Sequence, residues 1–231
     1  YVKILLNMPI KKIIAFGSAK GGVGKSSITA SLALSLSKHK KIGILDADVY
    51  GPNQNILFKL DTKNEIVDKQ IIPITKKGIK IISMGNIMNY DDAAIWRGPM
   101  LSGAIKKLVH DTKWGELDYL LIDMPPGTGD VYLTIFNELS IDKFILITTP
   151  NILAISDLQK TITMLKKLNV NIFGYISNNI FDVEDQNSIK LISDKINHLG
   201  TYKFDKNLHD FNLDYNSEIT EEISKRILLD T

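Results

Sequence analysis

The 231-residue chain contains no cysteine. Disulfide bridges, thiolate catalysis and cysteine-ligated metal are therefore excluded within it. An excess of one charge is missing too. Twenty-eight Lys and Arg stand against 26 Asp and Glu, a formal net charge of +2, so no global field favours nucleic acid or a membrane surface. Short lysine groups such as Lys38-Lys40-Lys41 read as solvated faces. No stretch approaches the roughly 18 apolar residues that span a bilayer, and no secretory signal opens the chain, so the expected location is cytoplasmic. The four histidines, His39, His110, His198 and His209, show no ligand spacing. What remains is a globular composition, 44% hydrophobic against 23% charged. The length is ordinary for one α/β sheet covered on both faces.

Against these absences, residues 20–26 read Lys-Gly-Gly-Val-Gly-Lys-Ser, after the apolar run Ile13-Ile14-Ala15-Phe16 and before a run of helix formers. Three glycines within four positions let the backbone turn tightly. A concave row of N–H groups at a helix N-terminus attracts phosphate. Lys20, Gly21, Gly22, Val23, Gly24, Lys25, Ser26 and Ser27 are thus candidate nucleotide contacts. Lys25 would reach the β- and γ-phosphates and the Ser26 hydroxyl would join the shell of a Mg²⁺ ion. The strict phosphate-loop pattern asks for glycine at position 19, where this chain has Ala19. A glycine-rich turn with two solvated lysines is the bland alternative. Strand, loop, Lys25-Ser26 and helix nevertheless come in the order that phosphate binding requires.

Apolar runs of strand length recur at 13–16, 42–45, 79–84, 119–122, 144–148 and 172–176. Helical patterns cover 26–38, 100–109, 158–168, 189–196 and 219–229. Strands apolar throughout and alternating with helices predict a doubly wound, mostly parallel α/β sheet with helices on both faces. Ligands in such sheets sit beyond the C-terminal strand ends. The segment 59–77 reads as an irregular surface excursion. One domain over 1–231 is the economical expectation, with an upstream domain outside this sequence left open by its start at Tyr1.

The polar signals fall at the strand ends. Asp123 follows Asp118-Tyr119-Leu120-Leu121-Ile122, where a phosphate-loop enzyme places a carboxylate that holds Mg²⁺, although a strand-end aspartate is commonly just a turn starter. After it comes Met124-Pro125-Pro126-Gly127-Thr128-Gly129-Asp130, a rigid entry to a flexible turn suited to sensing a γ-phosphate. Asp46 and Asp48, two apart, project to the same side of an extended chain. Asp46 is expected nearer the metal, and Asp48 is expected to orient the attacking water. The metal candidates are therefore Ser26, Asp46, Asp48 and Asp123, and the catalytic candidates Lys20, Lys25 and Asp48. Lys20 precedes the glycines and could neutralise charge on the phosphates of a second copy, in the manner of an arginine finger supplied in trans. That implies a homodimer across the nucleotide sites. Asn178 carries a donor and an acceptor that could read adenine, though asparagines after strands are also ordinary turn residues.

Taken together, the loop 20–27, Asp46-Ala47-Asp48-Val49-Tyr50-Gly51-Pro52-Asn53, Trp96-Arg97-Gly98-Pro99-Met100 and Asp123-Met124-Pro125-Pro126-Gly127-Thr128-Gly129-Asp130 closely resemble the Mrp (ApbC-like) family of ATPases, within the MinD/ParA group with a deviant Walker A loop. The resemblance implies a P-loop fold binding Mg-ATP, with Lys20 as the signature lysine, Lys25 and Ser26 as phosphate and magnesium residues, Asp48 as the switch residue, Asp123 as the Walker B carboxylate and Asn178 as the adenine reader. It also implies iron–sulfur cluster assembly or transfer, with client or scaffold proteins as partners. Members that carry a [4Fe–4S] cluster have a Cys-x-x-Cys pair shortly after the adenine-reading asparagine. Here that region runs Asn178-Asn179-Ile180-Phe181-Asp182-Val183-Glu184-Asp185-Gln186. Asp182, Glu184 and Asp185 are hard oxygen donors and poor substitutes for soft thiolates, so a cluster held by this chain is not expected. Lys203 also stands where the family usually has a proline near the base pocket.

The expected function is a slow, Mg²⁺-dependent ATPase of the Mrp type that uses hydrolysis as a conformational switch, with ATP/ADP and Mg²⁺ as cofactors. Two alternatives stand beside it. One is a ParA/MinD-like partitioning or positioning ATPase, which would need a basic DNA face or a C-terminal membrane helix; the tail 221–229 is short and mixed in charge. The other is a nucleotide-dependent adaptor without a catalytic role.

Overall fold

The computed structural model describes residues 10–87, 99–127, 129–179 and 196–230. Trp96, Arg97, Thr128, Asp182, Glu184 and Asp185 lie outside the described residues, as does the expected helix at 189–196 up to position 195. The described elements are β1 (Ile10–Ser18), α1 (Lys25–Ser37), β2 (Ile42–Asp46), α2 (Gln54–Leu57), β3 (Ile66–Val67), β4 (Gln70–Ile71), β5 (Ile74–Lys76), β6 (Ile79–Ser83), α3 (Met84–Ile87), α4 (Pro99–His110), β7 (Leu117–Pro126), α5 (Asp130–Glu138), β8 (Lys143–Thr148), α6 (Ile152–Lys167), β9 (Ile172–Asn179), β10 (His198–Lys203), α7 (Lys206–His209) and α8 (Glu218–Leu229).

Eight of these strands form one sheet in the order β10-β9-β8-β1-β7-β2-β6-β5. Every pairing in it is parallel except β5 with β6. The strand carrying the glycine-rich loop is therefore central, between β7 and β8. Alternation sends successive side chains of β1 to opposite faces. Ile13 and Ala15 join one core with Trp114, Tyr132 and Phe144, while Ile14 and Phe16 join the other with Leu32, Phe58 and Ile223. Two buried faces explain why the strands are apolar throughout rather than alternating.

Local chemistry sets the helix ends. Asn151 caps α6 by accepting from the Ala154 amide at 2.9 Å, and Lys166 and Lys167 stand at its last turn. Ser217 caps α8 by accepting from the Thr220 amide, with Glu218 and Glu221 in the first turn. Each placement suits the helix dipole. The buried Lys143 closes the other end of α8, donating to the carbonyls of Ile227 at 3.2 Å and Asp230 at 2.9 Å. No described helix is long and apolar enough to cross a membrane.

Several expectations need correction. The segment 59–77 is not wholly irregular, since it holds the β3–β4 hairpin and the antiparallel edge strand β5. Their runs of two and three residues are too short to show a period. Helix α6 starts at Ile152, not 158, because the cap at Asn151 lies ahead of the two exposed residues Ile152 and Leu153. Helix α5 and strand β10 have no counterpart in the sequence reading.

Glycines at two positions behave oppositely under a methyl probe. A Cβ on Gly17, at the end of β1, would lie 2.4 Å from the Phe144 ring and 2.7 Å from the Tyr132 hydroxyl. On Gly103, exposed in α4, it would meet nothing within 4 Å. Gly17→Ala is expected to lower unfolding free energy by about 1–3 kcal/mol through overpacking. Gly103→Ala is expected to raise it by about 0.5–1 kcal/mol through lost unfolded-chain entropy. Urea titration of both variants checks the contrast, which fails if the two shift in the same direction.

Candidate functional site

Beyond Ser18 the chain leaves the sheet and re-enters regular structure at Lys25. Gly22 and Gly24 adopt left-handed φ angles of 76° and 85°, a region glycine enters without penalty. Gly24 is constrained a second time. The Asn178 amide nitrogen donates to the Val23 carbonyl at 3.0 Å, and a Cβ on Gly24 would lie 2.3 Å from that nitrogen. The Ser18 hydroxyl steadies the other side of the loop through the Lys20 carbonyl at 2.8 Å. Residues 20–27 wall a cavity of about 290 Å³, closed by Ser18, Asp48, Asn53, Leu57 and Pro126. A second cavity of about 180 Å³ adjoins it, walled by Gly22, Gly24, Ser27, Asn178, Tyr202 and Phe204 among others.

Beneath the loop lies a buried electrostatic cluster. Asp46 and Asp123 are register partners on β2 and β7, and both are 0% exposed. Asp46 accepts from the Asp48 amide at 3.2 Å, the Asn53 amide at 3.1 Å, the Gln54 amide at 3.0 Å and the Ser83 hydroxyl at 2.9 Å. Burial first, then the Asp123 charge, push its carboxyl up to about 7 against those donors and Lys25. Lys25 and Asp123 form an ion pair, and the same ammonium lies 3.3 Å from the Ser26 hydroxyl. The other Asp123 oxygen accepts from the Gln54 side-chain amide at 2.8 Å. Asp48 accepts from the Gly51 amide at 3.1 Å and lines the first cavity. Its carboxyl is raised by burial, with Lys25 pulling it down.

The expected residues thus converge, with differences. Lys20 lines the cavity and pairs with Asp157 of its own chain at 3.2 Å, so it is not the simply solvated side chain of the bland reading. Asp123 does not end its strand: β7 continues to Pro126, which pairs with Ser18. Asn178 and Asn179 likewise lie within β9, because β10 pairs with them through Tyr202 and Lys203. Ser26, Asp46, Asp48 and Asp123 supply hard oxygen donors of the kind Mg²⁺ takes. Among the described residues, however, no group of three or more acidic or histidine side chains forms a ready-made metal cage. Sites that hold Mg²⁺ through one or two carboxylates plus phosphate oxygens need no such cage. Gln54, Asp157 and Phe204 were missed. Nothing in sequence spacing signals that α2 folds back onto β7, or that α6 and α7 reach the loop.

Comparison with known proteins agrees with this geometry. Residues 9–219 match the family model described as ParA, NUBPL iron-transfer P-loop NTPase. An iron–sulfur cluster carrier protein of Aquifex aeolicus is 45% identical over 173 residues, covering 73% of this chain and 48% of its own length. The iron–sulfur cluster transfer protein NUBPL of Dictyostelium discoideum is 43% identical over 175 residues, covering 73% of this chain and 54% of its own. The chain therefore spans about half the length of these curated relatives. A nucleotide-binding protein from Archaeoglobus fulgidus, solved in complex with ADP, superposes with a TM-score of 0.76 at 31% identity, covering 92% of each chain. With the loop, the buried carboxylates and the parallel sheet all in place, the chain belongs to the NUBPL iron-transfer P-loop NTPase family.

Proposed function

We propose that this chain, as one domain, binds ATP with Mg²⁺ and hydrolyses it slowly, driving conformational change in an iron–sulfur cluster transfer system. The observation that carries this reading is the cavity of about 290 Å³ walled by residues 20–27, with Lys25 of the Lys25–Asp123 pair in its lining. ADP in the Archaeoglobus relative and the iron–sulfur carrier and transfer roles named for the curated relatives support it.

The cavity residues divide the work. The loop amides and Lys25 bind the β- and γ-phosphates, and for that Lys25 exchanges its Asp123 partner for phosphate oxygens. Ser26 and Asp123 would hold Mg²⁺, with Asp46 behind them. The ion, when bound, supplies charge neutralisation on the phosphates. Asp48, at the cavity wall, orients the attacking water. Lys20 releases Asp157 and reaches the phosphates of a second copy. Asn178, whose amide nitrogen holds the Val23 carbonyl, reads the base from the second cavity.

A homodimer is supported by exposed apolar residues at this end of the sheet. Tyr50, Leu133, Ile152 and Leu153 are 61%, 44%, 63% and 66% exposed, and all follow the C-terminal ends of β2, β7 and β8. An iron–sulfur client or scaffold is the natural further partner. With no cysteine among its 231 residues, the chain offers no thiolate to a cluster, so cluster ligands come from the partner or from outside this sequence.

Phosphate release measured on the wild type, Lys20→Ala and Asp48→Ala tests the mechanism. Both substitutions are expected to slow turnover by about 10²-fold or more, while Lys25→Ala abolishes ATP uptake by calorimetry. Equal rates in the first three proteins would remove the catalytic assignments. Separately, anaerobic incubation with ferrous iron and sulfide is expected to leave these residues without bound iron after desalting. Stoichiometric iron with a charge-transfer absorbance band would overturn the view that cluster ligands lie elsewhere.

A further inference from the structure

Gln54 is wholly buried at the start of the four-residue helix α2, and the mechanism above gives it no part. Its side-chain nitrogen donates to the Ser26 carbonyl at 3.0 Å and to Asp123 Oδ2 at 2.8 Å. Both amide protons are thereby used. Its main-chain nitrogen donates to Asp46 Oδ2 at 3.0 Å. One residue consequently ties three elements together: the end of β2, the first turn of α1 and the middle of β7. Its own Oε1 is buried without a hydrogen-bond partner among the described residues. An orphaned acceptor is costly, and a side chain chosen for stability alone would avoid it.

The geometry around Asp123 shows what this arrangement secures. Lys25 holds Oδ1, so the Gln54 donor on Oδ2 sets the rotation of the carboxylate. The same glutamine closes the 48–53 loop, whose ends hang on Asp46 through the amides of Asp48, Asn53 and Gln54. Hydrogen bonds through α2 thus link the Asp48 loop to Asp123, beside the direct Coulomb repulsion between the two carboxylates. We infer that Gln54 is a positioning residue, which orients Asp123 toward Mg²⁺ and couples that orientation to the loop carrying Asp48. The inference rests on the nucleotide reading above and deepens it. It assigns Gln54 to metal-dependent binding, not to contact with the phosphates themselves, because Gln54 does not line the cavity.

The test is calorimetry of ADP binding with Mg²⁺ and with chelator, on the wild type, Gln54→Met and Gln54→Ala. Methionine keeps the volume and removes the orphaned oxygen together with the donors, leaving the Ser26 carbonyl and Asp123 Oδ2 without that partner; thermal melts establish that each variant is folded before binding is compared. Lost outer-shell support typically costs about 10- to 100-fold in metal affinity, so the Mg²⁺-dependent tightening of ADP should shrink by that factor while affinity in chelator stays within about twofold. Backbone amides of 47–53 should also exchange faster in both variants. Unchanged Mg²⁺ dependence in a folded variant overturns the inference. So does an equal loss with and without Mg²⁺, which marks a purely structural role. Failure of the nucleotide reading is distinguishable, since the wild type itself would then take up no ADP under either condition.

Discussion

Two carboxylates without solvent, side by side on neighbouring strands, are the constraint around which this molecule is arranged. Asp46 and Asp123 face each other across β2 and β7, and a buried pair of like charges cannot both ionise cheaply. Lys25 supplies an ammonium to Asp123. Removing either partner of such a buried pair costs about 3–5 kcal/mol, because the survivor is left uncompensated. The remaining tension appears in the raised proton affinity of Asp46. A second cation beside the pair would relieve it, so the charge of the cluster favours a ligand that brings a cation.

Much of the surrounding backbone depends on that cluster. Four donors converge on Asp46, and three of them are the amides that bound the loop from 48 to 54. The glycine-rich loop is held independently, by Ser18 on one side and Asn178 on the other. Its last residues, Lys25 and Ser26, nevertheless join it to the carboxylate network through the Asp123 ion pair and the Gln54 side chain. Loops that move with ligands are drawn from weakly held segments. Here the segments differ in how they are tied: 48–54 hangs on a titratable carboxylate through three amides, whereas the glycines of the loop are steadied by a neutral hydroxyl and a neutral amide.

Lys20 shows how a local contact conditions a wider function. Its ammonium lies 3.2 Å from Asp157, which also holds Lys160 at 3.0 Å. Lys160 first and Lys20 second keep that carboxyl below the usual aspartate range. Exposed pairs of this kind are screened by solvent and add little to stability. They direct a side chain without locking it, which suits a lysine proposed to exchange partners.

Sequence alone was enough for the central strand, the glycine loop and the order of apolar runs. A parallel strand buried on both faces must be apolar from end to end, and a phosphate loop needs glycines at fixed spacing whatever surrounds it. Family membership was equally legible, because Asp46-Ala47-Asp48-Val49-Tyr50-Gly51-Pro52 and Trp96-Arg97-Gly98-Pro99-Met100 are contiguous stretches of the chain. Strand ends were legible only roughly. Asp123 and Asn178 looked terminal because their neighbours turn polar, yet pairing with Ser18-side β1 and with β10 carries both strands further. Only the tertiary structure could decide that Gln54 reaches Asp123, 69 residues away, or that Asp157 meets Lys20. Such contacts depend on how a short helix and a long one lie against the sheet. No periodicity records that, because a single buried amide or a surface carboxylate leaves no pattern in the residues around it.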